Sequence, residues 1–245
     1  MRAEQARRAR RRRLLAGAGT AVAVAAIVAV VALALVRGSP GSRAAGSGVP
    51  PRLPLSPLSA LGPLRSPPPP GSDSFEGVPI PAAPALAGTA AGASGGTVDH
   101  ISCQTSEQLL FHIHAHLTIF VNGQARQVPA GIGIPGSRAQ DTAQGPVAAG
   151  GRCLYWLHTH APDGIIHIES PVRRTYTLGE FFDEWGQPLG PGVLGPVKGL
   201  VVALYDGKVY RGNPRDIPLT AHAQIQLEVG APLVAPVRIT FPPGL

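Results

Sequence analysis

The sequence predicts an α+β fold: a small, mostly antiparallel sheet with one short helix, preceded by one transmembrane helix and a disordered linker. Three observations support this expectation: an uncharged run of 23 residues near the N-terminus, a long Pro/Gly/Ala/Ser-rich segment, and strand patterns around a single helix signal. Strands that follow one another around one helix favour a β-grasp-like roll, with a β-sandwich as the alternative. The predicted boundaries are 1–13 for a basic cytoplasmic tail, 14–36 for the transmembrane helix, 37–97 for the linker and 98–245 for an extracytoplasmic, histidine-rich domain.

The N-terminal segment has the charge pattern of a membrane anchor. Residues 1–13 contain seven arginines and one glutamate, and residues 14–36 carry no charge. At about 1.5 Å per residue, such a helix crosses a hydrocarbon core of roughly 30 Å. The positive-inside rule then predicts a single-pass protein of the cell membrane with its N-terminus in the cytoplasm. A cleaved secretory signal is the alternative, and the paired arginines before Leu14 also resemble a twin-arginine export signal.

The segment 37–97 is poor in residues that build a core. It includes four consecutive prolines at 67–70 and a run of Ala, Gly, Ser and Thr at 87–96. Such a composition buries too little apolar surface to offset the entropy lost on ordering, which predicts a disordered spacer. A Pro-rich docking site for a protein partner is the alternative, and the sequence does not identify that partner.

The net charge of +7 is concentrated in the N-terminal tail. Residues 98–245 contain ten basic and eleven acidic side chains, which leaves this domain near neutrality. A neutral domain lacks the basic surface that binds phosphate backbones, so we expect no nucleic-acid partner. The domain also lacks a glycine-rich loop followed by Lys-Ser or Lys-Thr, the usual nucleotide signature.

Two cysteines, Cys103 and Cys153, are present in the chain. In an extracytoplasmic compartment an even pair favours a disulfide, which would join the segment before the first histidine cluster to the start of the second. Two free thiols, or Cys153 as a metal ligand, are the alternatives.

The first histidine cluster lies in a segment that alternates like a strand. Residues 110–121 place five polar or aromatic side chains on one face and six apolar ones on the other. Asn122-Gly123 is a strong two-residue hairpin signal, because both positions of that turn need positive φ. The chain should return antiparallel over 124–128 and then form a long loop over 130–151.

The second histidine cluster also indicates a hairpin. Its predicted strands, 154–160 and 165–169, flank a turn centred on Pro162-Asp163. This turn places His158 opposite His167, with Cβ atoms about 4.5–5.5 Å apart. A slip of one residue would separate the two rings.

The single helix signal comes later in the domain. Thr177 and Glu180 match a capping box before residues 178–185, and Gly186 is placed to end the helix. Further strands are predicted at 200–205, 208–211, 222–229 and 237–241.

Six of the eight histidines lie in the two clusters and are candidate metal ligands: His112, His114, His116, His158, His160 and His167. Imidazole nitrogens bind Zn, Cu, Fe and Ni, and a His-x-His pair on a strand brings two rings to one ion. His112 and His116 lie about 13 Å apart along a strand, so all three rings of the first cluster cannot share one ion. We therefore expect two ligands from one strand, such as His114 and His116, completed by His158, His160 or His167. Asp163 or Glu169 could bind the ion or orient a ring.

Thioether and thiolate ligands are scarce, which disfavours a Cu(I) carrier, and nitrogen and oxygen ligands favour Zn(II), Cu(II) or Fe(II). Zn is favoured over Cu(II) or Fe(II) as the default. The leading hypothesis is binding or sequestration of a divalent transition metal. A metal-dependent hydrolase or lyase is the first alternative, although no catalytic residue can be assigned. A pH-responsive or interaction module without metal is the second, since imidazoles with pKa near 6.5 would repel one another in mild acid. Whether the two clusters share one site is left open.

Three motifs carry a resemblance to a known group of proteins. They are His-x-His-Ala-His-Leu at 112–117, Leu-His-Thr-His at 157–160 and Gly-Ile-Ile-His-Ile-Glu-Ser-Pro at 164–171. The stretch from about 111 to 228 resembles a group of bacterial proteins that are membrane-anchored or exported. The resemblance implies location and domain unity and adds no chemistry.

Overall fold

The computed structural model describes residues 52–245. The predicted tail 1–13, the predicted transmembrane helix 14–36 and the first part of the predicted linker, 37–51, lie outside the described residues. Within 52–245, no helix is both long enough and apolar enough to cross a membrane. This part of the chain is mostly strand with one α-helix, which confirms the expected α+β class with several antiparallel sheets.

The described part contains fifteen strands, one α-helix and two short 3₁₀ turns. Many of the strands have only two or three residues, and two central ones are long. The elements are β1 Leu55–Ser56, β2 Phe111–Val121, β3 Gln124–Arg126, β4 Gln140–Thr142, β5 Gly145–Val147, β6 Leu157–His158, β7 Ile165–Ser170, β8 Tyr176–Thr177, α1 Leu178–Trp185, β9 Leu189–Gly190, β10 Val193–Leu194, β11 Val197–Lys198, β12 Val201–Tyr205, β13 Lys208–Tyr210, β14 Pro218–Leu219 and β15 Gln224–Val229, with 3₁₀ turns at Leu58–Leu61 and Pro214–Asp216.

The main sheet has eight strands, more than the small sheet that the sequence predicts. Their order is β1-β13-β12-β15-β2-β7-β6, and β3 pairs with the end of β2. Strand β2 is central, because its first half pairs with β7, its last residues pair with β3, and its other edge pairs with β15. The β2–β15 pair is parallel, whereas the other pairs of this sheet are antiparallel.

One face of the main sheet is apolar and packs against α1. Alternate side chains of β2 and β15 belong to the same core as Phe181, Phe182 and Trp185 of the helix. These three aromatic side chains are fully buried. Burying each such aromatic ring stabilises the fold by roughly 1.5–3 kcal/mol. The apolar face therefore fixes which side of β2 its histidines occupy.

The helix has the boundaries that its capping signals predict. The Thr177 side chain accepts a hydrogen bond from the Glu180 N–H, and the Glu180 carboxylate accepts one from the Thr177 N–H at 2.7 Å. Gly186 ends the helix in the left-handed conformation, with φ of 68°. These local signals are sufficient because a capping box and a C-terminal glycine satisfy the end groups without distant residues.

The opposite face of the main sheet is polar, and over β15 it is covered by the C-terminal segment. The Gln226 side chain accepts from Val237 N–H at 2.8 Å and donates to the Val234 carbonyl at 3.1 Å. The Val234 N–H donates to the Glu228 carboxylate at 2.8 Å. Residues 237–241 are consequently not a strand, as we had expected, because their backbone bonds to side chains instead of to a neighbouring strand.

Residues 52–97 differ from the expected disordered linker, because they are ordered and packed on the domain. Strand β1 pairs with β13, and the Leu86 N–H donates to the Gln127 carbonyl at 3.0 Å. Val78 is completely buried and Leu86 is 7% exposed. The domain therefore begins by residue 52 rather than at 98, since these few apolar residues bury against the later strands.

The two predicted hairpins are present with small changes. Asn122 and Gly123 both have positive φ between β2 and β3, and His158 pairs with His167 across β6 and β7. Strand β6 is shorter than predicted, and a small hairpin of β4 and β5 lies within the predicted loop 130–151. Cys103 and Cys153 form a disulfide in the structure, with their Cα atoms 5.5 Å apart.

Candidate metal centre

Three neighbouring strands bring the two histidine clusters together on the polar face of the main sheet. In the antiparallel β2–β7 pair, His112 lies opposite Glu169 and His114 lies opposite His167. In the β6–β7 pair, His158 lies opposite His167. Because paired residues point to the same face, His-x-His on β2 meets His-x-Glu on β7.

Four donor atoms from these two cross-strand pairs converge on one point. The Nε2 atoms of His112 and His114 are 3.1 Å apart, and His114 Nε2 is 3.1 Å from His167 Nδ1. The Oε1 atom of Glu169 is 3.3 Å from His112 Nε2 and 3.4 Å from His167 Nδ1. Tetrahedral ligands at about 2.0–2.1 Å from a zinc ion are about 3.3–3.4 Å apart, so these four separations suit one ion, and all four atoms lie within 4.8 Å of one another.

The centre is buried on three sides and open at His112. His114, His167 and Glu169 are buried, whereas the His112 side chain is 38% exposed. Burial, followed by the charges of His167 and His112, lowers the pKa of His114 to about 4. His114 is therefore neutral at physiological pH and offers a lone pair, as a metal ligand must.

A carboxylate outside the four donors holds the His167 ring. The Glu76 Oε1 atom is 2.7 Å from His167 Nε2, the ring nitrogen that does not face the centre. Burial alone would lower the pKa of His167, but hydrogen bonds with Glu169 and Glu76 raise it to about 9. Such a carboxylate–histidine pair fixes the orientation of the ring, so that Nδ1 faces the other three donors.

Sequence reasoning missed Glu76, because it lies in the segment predicted to be disordered. A tight turn holds it in place: the Gly77 N–H donates to the Ser74 carbonyl, and the Glu76 N–H donates to Ser74 Oγ. One signal was available, since Asp73 and Glu76 are the only acidic residues in 37–97. They are also the only charged residues in 66–97, and charged residues within such a Pro/Gly/Ala run indicate a segment with a specific contact.

His158 and His160 lie beside the centre and present free ring nitrogens. Their Nδ1 atoms donate to the Tyr155 and Ala148 carbonyls, at 2.9 and 2.8 Å, which leaves each Nε2 with a lone pair in the neutral ring. His158 is completely buried, and burial, followed by the charges of His167 and His160, lowers its pKa to about 3. Ring nitrogens of His158, His160 and His167 lie within 4.8 Å of one another.

The structure does not bring His116 or Asp163 to the centre. His116 Nε2 donates to the Asp163 carbonyl at 2.9 Å, so that nitrogen is occupied. Asp163 accepts from Ser74 Oγ at 2.6 Å, and burial and the charge of Glu76 raise its pKa to about 7. The two histidines of β2 that share a group of possible metal donors are therefore His112 and His114, whereas the sequence suggested His114 and His116 as an example.

A cavity of about 540 Å³ lies next to His116 and Asp163. Its lining includes His116, Asp163 and three arginines among mostly apolar residues, and it does not include His112, His114, His167 or Glu169. A molecule in this cavity would thus contact His116 and Asp163 rather than the four donors.

No protein-family model matches the chain, and no curated protein and no solved structure is significantly similar to it. The histidine and carboxylate groups that could hold a metal ion are therefore interpreted from their own geometry.

Proposed function

We propose that this protein is a membrane-anchored, extracytoplasmic domain that binds a divalent transition metal through His112, His114, His167 and Glu169. The closeness of these four donor atoms carries the proposal, because four of their six separations match the edges of a tetrahedral zinc site and all four atoms lie within 4.8 Å of one another. Three imidazoles and one carboxylate suit Zn(II), Cu(II) and Fe(II), and we take Zn(II) as the default. His158 and His160 lie within reach of the same centre.

A binding or sequestering role has more support than a catalytic one. Four protein donors fill a tetrahedral site, whereas catalytic zinc sites keep one position open for water. The large cavity also lacks the four donors in its lining. A metal-dependent hydrolase or lyase remains the second candidate, favoured by the exposure of His112, whose departure would open a coordination position.

The location follows from the sequence and is part of the proposal. Residues 14–36 would anchor the chain, with the arginine-rich tail in the cytoplasm. The Cys103–Cys153 disulfide supports an oxidising compartment for the domain, because such bonds persist outside the cytoplasm. We further infer a β-grasp-like roll rather than a β-sandwich, since the sheets of 52–245 other than the main one have only two or three strands.

The test is metal content of the full chain, purified in detergent without a histidine tag. After exchange with zinc and desalting, we expect at least about one ion per chain by elemental analysis. His112→Gln and His114→Gln should each weaken zinc affinity by about ten- to a hundredfold, because each removes one of four donors.

His100→Asn is the matched control. His100 is exposed, lies outside the three groups that could hold a metal, and has φ of 66°, which asparagine tolerates. This variant should bind zinc like the unchanged chain. Less than about 0.2 ion per chain after challenge with Zn, Cu and Fe would contradict the proposed function.

A further inference from the structure

Two buried polar atoms beside the metal centre have no hydrogen-bond partner within residues 52–245. They are Oε2 of Glu169 and Nε2 of His158, which face one another at 3.8 Å. Burial of an unpaired polar atom costs about 1–3 kcal/mol, and a native fold rarely carries two in contact. The arrangement therefore indicates a ligand between or beside them.

The chemistry of the two atoms identifies the kind of ligand. His158 Nδ1 donates to the Tyr155 carbonyl, so Nε2 of the neutral ring is an acceptor. A carboxylate oxygen is also an acceptor, and a gap of 3.8 Å is too long for a hydrogen bond. Two lone pairs that face one another are brought together by a cation, and an imidazole donor selects a transition metal.

A third donor is at hand. Ligand atoms of Glu107, His158 and Glu169 lie within 4.8 Å of one another. This second set contains one imidazole and two carboxylates, and the Glu107 side chain is 46% exposed, which leaves an entry path.

We propose that the centre holds a second divalent transition-metal ion, bound by His158 Nε2, Glu169 Oε2 and Glu107, with Glu169 bridging the two ions. Glu169 directs Oε1 at the first set of donors and Oε2 at the second. Ions that share a carboxylate in two-metal sites are about 3.5–4 Å apart. This inference rests on the proposed function, because Glu169 is a ligand of both ions.

The experiment counts ions on the full chain in detergent micelles. Titration with Zn(II) followed by desalting should give about two ions per unchanged chain. Glu107→Gln should lower the affinity of the second ion at least tenfold, and His158→Gln should reduce the count to about one. Asp141→Asn, which alters an exposed carboxylate on β4, is the control and should keep both ions.

The number of ions per chain tests the first and the second metal ion separately. One ion in the unchanged chain, with no effect of Glu107→Gln, overturns the second ion and leaves the first intact. No ion in the unchanged chain overturns both. Because His158 is fully buried, His158→Gln is interpreted only if its circular dichroism is unchanged; otherwise Glu107→Gln decides.

A spectroscopic measurement tests the bridge itself. With two equivalents of Cu(II), ions about 4 Å apart should couple magnetically and lose most of the isolated Cu(II) resonance signal. Glu107→Gln loaded with one equivalent should restore the isolated signal. Two full, uncoupled signals in the unchanged chain would overturn the bridged arrangement.

Discussion

The polar face of the main sheet has two regions that treat buried polar atoms in opposite ways. Over β15, the side chains of Gln224, Gln226 and Glu228 are paired with backbone groups of 234–239. Over β2, β6 and β7, imidazoles and carboxylates face one another instead, and His158 Nε2 and Glu169 Oε2 have no partner in 52–245.

The pairing of buried polar groups therefore distinguishes a structural region of this face, over β15, from a candidate binding region, over β2, β6 and β7. Buried polar groups that are paired within the chain rigidify the fold, whereas unpaired ones cost stability unless a ligand satisfies them. The β15 region is complete without a ligand. In the histidine region two buried atoms lack a partner within 52–245, which is why we propose metal binding there and not over β15.

Metal removal should have the largest effect on stability. At zinc concentrations about a thousandfold above Kd, binding stabilises the folded chain by about 4 kcal/mol. Thermal unfolding with zinc and with a chelator should therefore give clearly different midpoints. His114→Gln should lose most of this difference, and equal midpoints for the unchanged chain in both conditions would contradict the account.

Breaking the paired region should give the reverse pattern. Gln226→Leu leaves the Val234 carbonyl and the Val237 N–H without their side-chain partner, at a cost of about 2–3 kcal/mol. Chemical denaturation should detect this loss equally with and without zinc, while the metal content stays unchanged. A loss of bound zinc in this variant would mean that the two regions are not independent.

The sequence predicted the features that depend on neighbours along the chain. The helix boundaries, the Asn122-Gly123 turn and the pairing of His158 with His167 all follow from caps or tight turns. The choice between His112 and His116 did not, because both lie two residues from His114 and a strand period treats them alike. Only the register of β2 against β7 decides between them.

Other features depend on contacts between distant parts of the chain. The parallel pairing of β2 with β15 joins residues more than a hundred positions apart, and no turn sets its register. Glu76 reaches His167 across 91 positions from a segment whose composition predicts disorder. Composition measures how much surface a segment can bury alone, whereas 52–97 buries its few apolar residues against a sheet made elsewhere.

Glu184 is a buried carboxylic acid of α1 that lies away from the histidine region and also lacks a hydrogen-bond partner. Both of its carboxylate oxygens lack partners within 52–245, and burial followed by neighbouring acids raises its pKa well above 4.5. A raised carboxyl pKa means that stability falls as pH rises above 4.5. Glu184→Gln should therefore stabilise the fold by about 1–3 kcal/mol at pH 8 and have no effect near pH 4.

This prediction is checked by denaturant unfolding at both pH values. Asp141→Asn, at an exposed site, serves as the control and should change stability little at either pH. An equal effect of Glu184→Gln at pH 4 and pH 8 would contradict the assignment of a neutral carboxyl.

Proton release is the smallest expected effect. The pKa of His167 is raised to about 9, so its ring is protonated at neutral pH in the metal-free chain. In that form the raised pKa stabilises the fold below pH 6.5, and this contribution is lost as pH rises through about 9. Binding of the first ion through Nδ1 displaces one proton, which corresponds to about tenfold in affinity per pH unit, or about 1.4 kcal/mol.

Calorimetric titration in buffers of different ionisation enthalpy measures that proton. About one proton should be released per first ion at pH 7.5 and almost none near pH 10. Because the pKa of His114 is already lowered to about 4, this ligand releases no proton at either pH. Release of no proton at pH 7.5 would contradict the raised pKa of His167.

The most direct test of the central claim is zinc-edge X-ray absorption of the full chain loaded with one equivalent of Zn(II). We expect three imidazole nitrogens and one carboxylate oxygen at about 2.0–2.1 Å from the zinc ion, and one imidazole fewer in His114→Gln. A shell with fewer than two imidazoles, or a spectrum unchanged in His114→Gln, would contradict the claim that the unpaired face of the sheet is a metal centre.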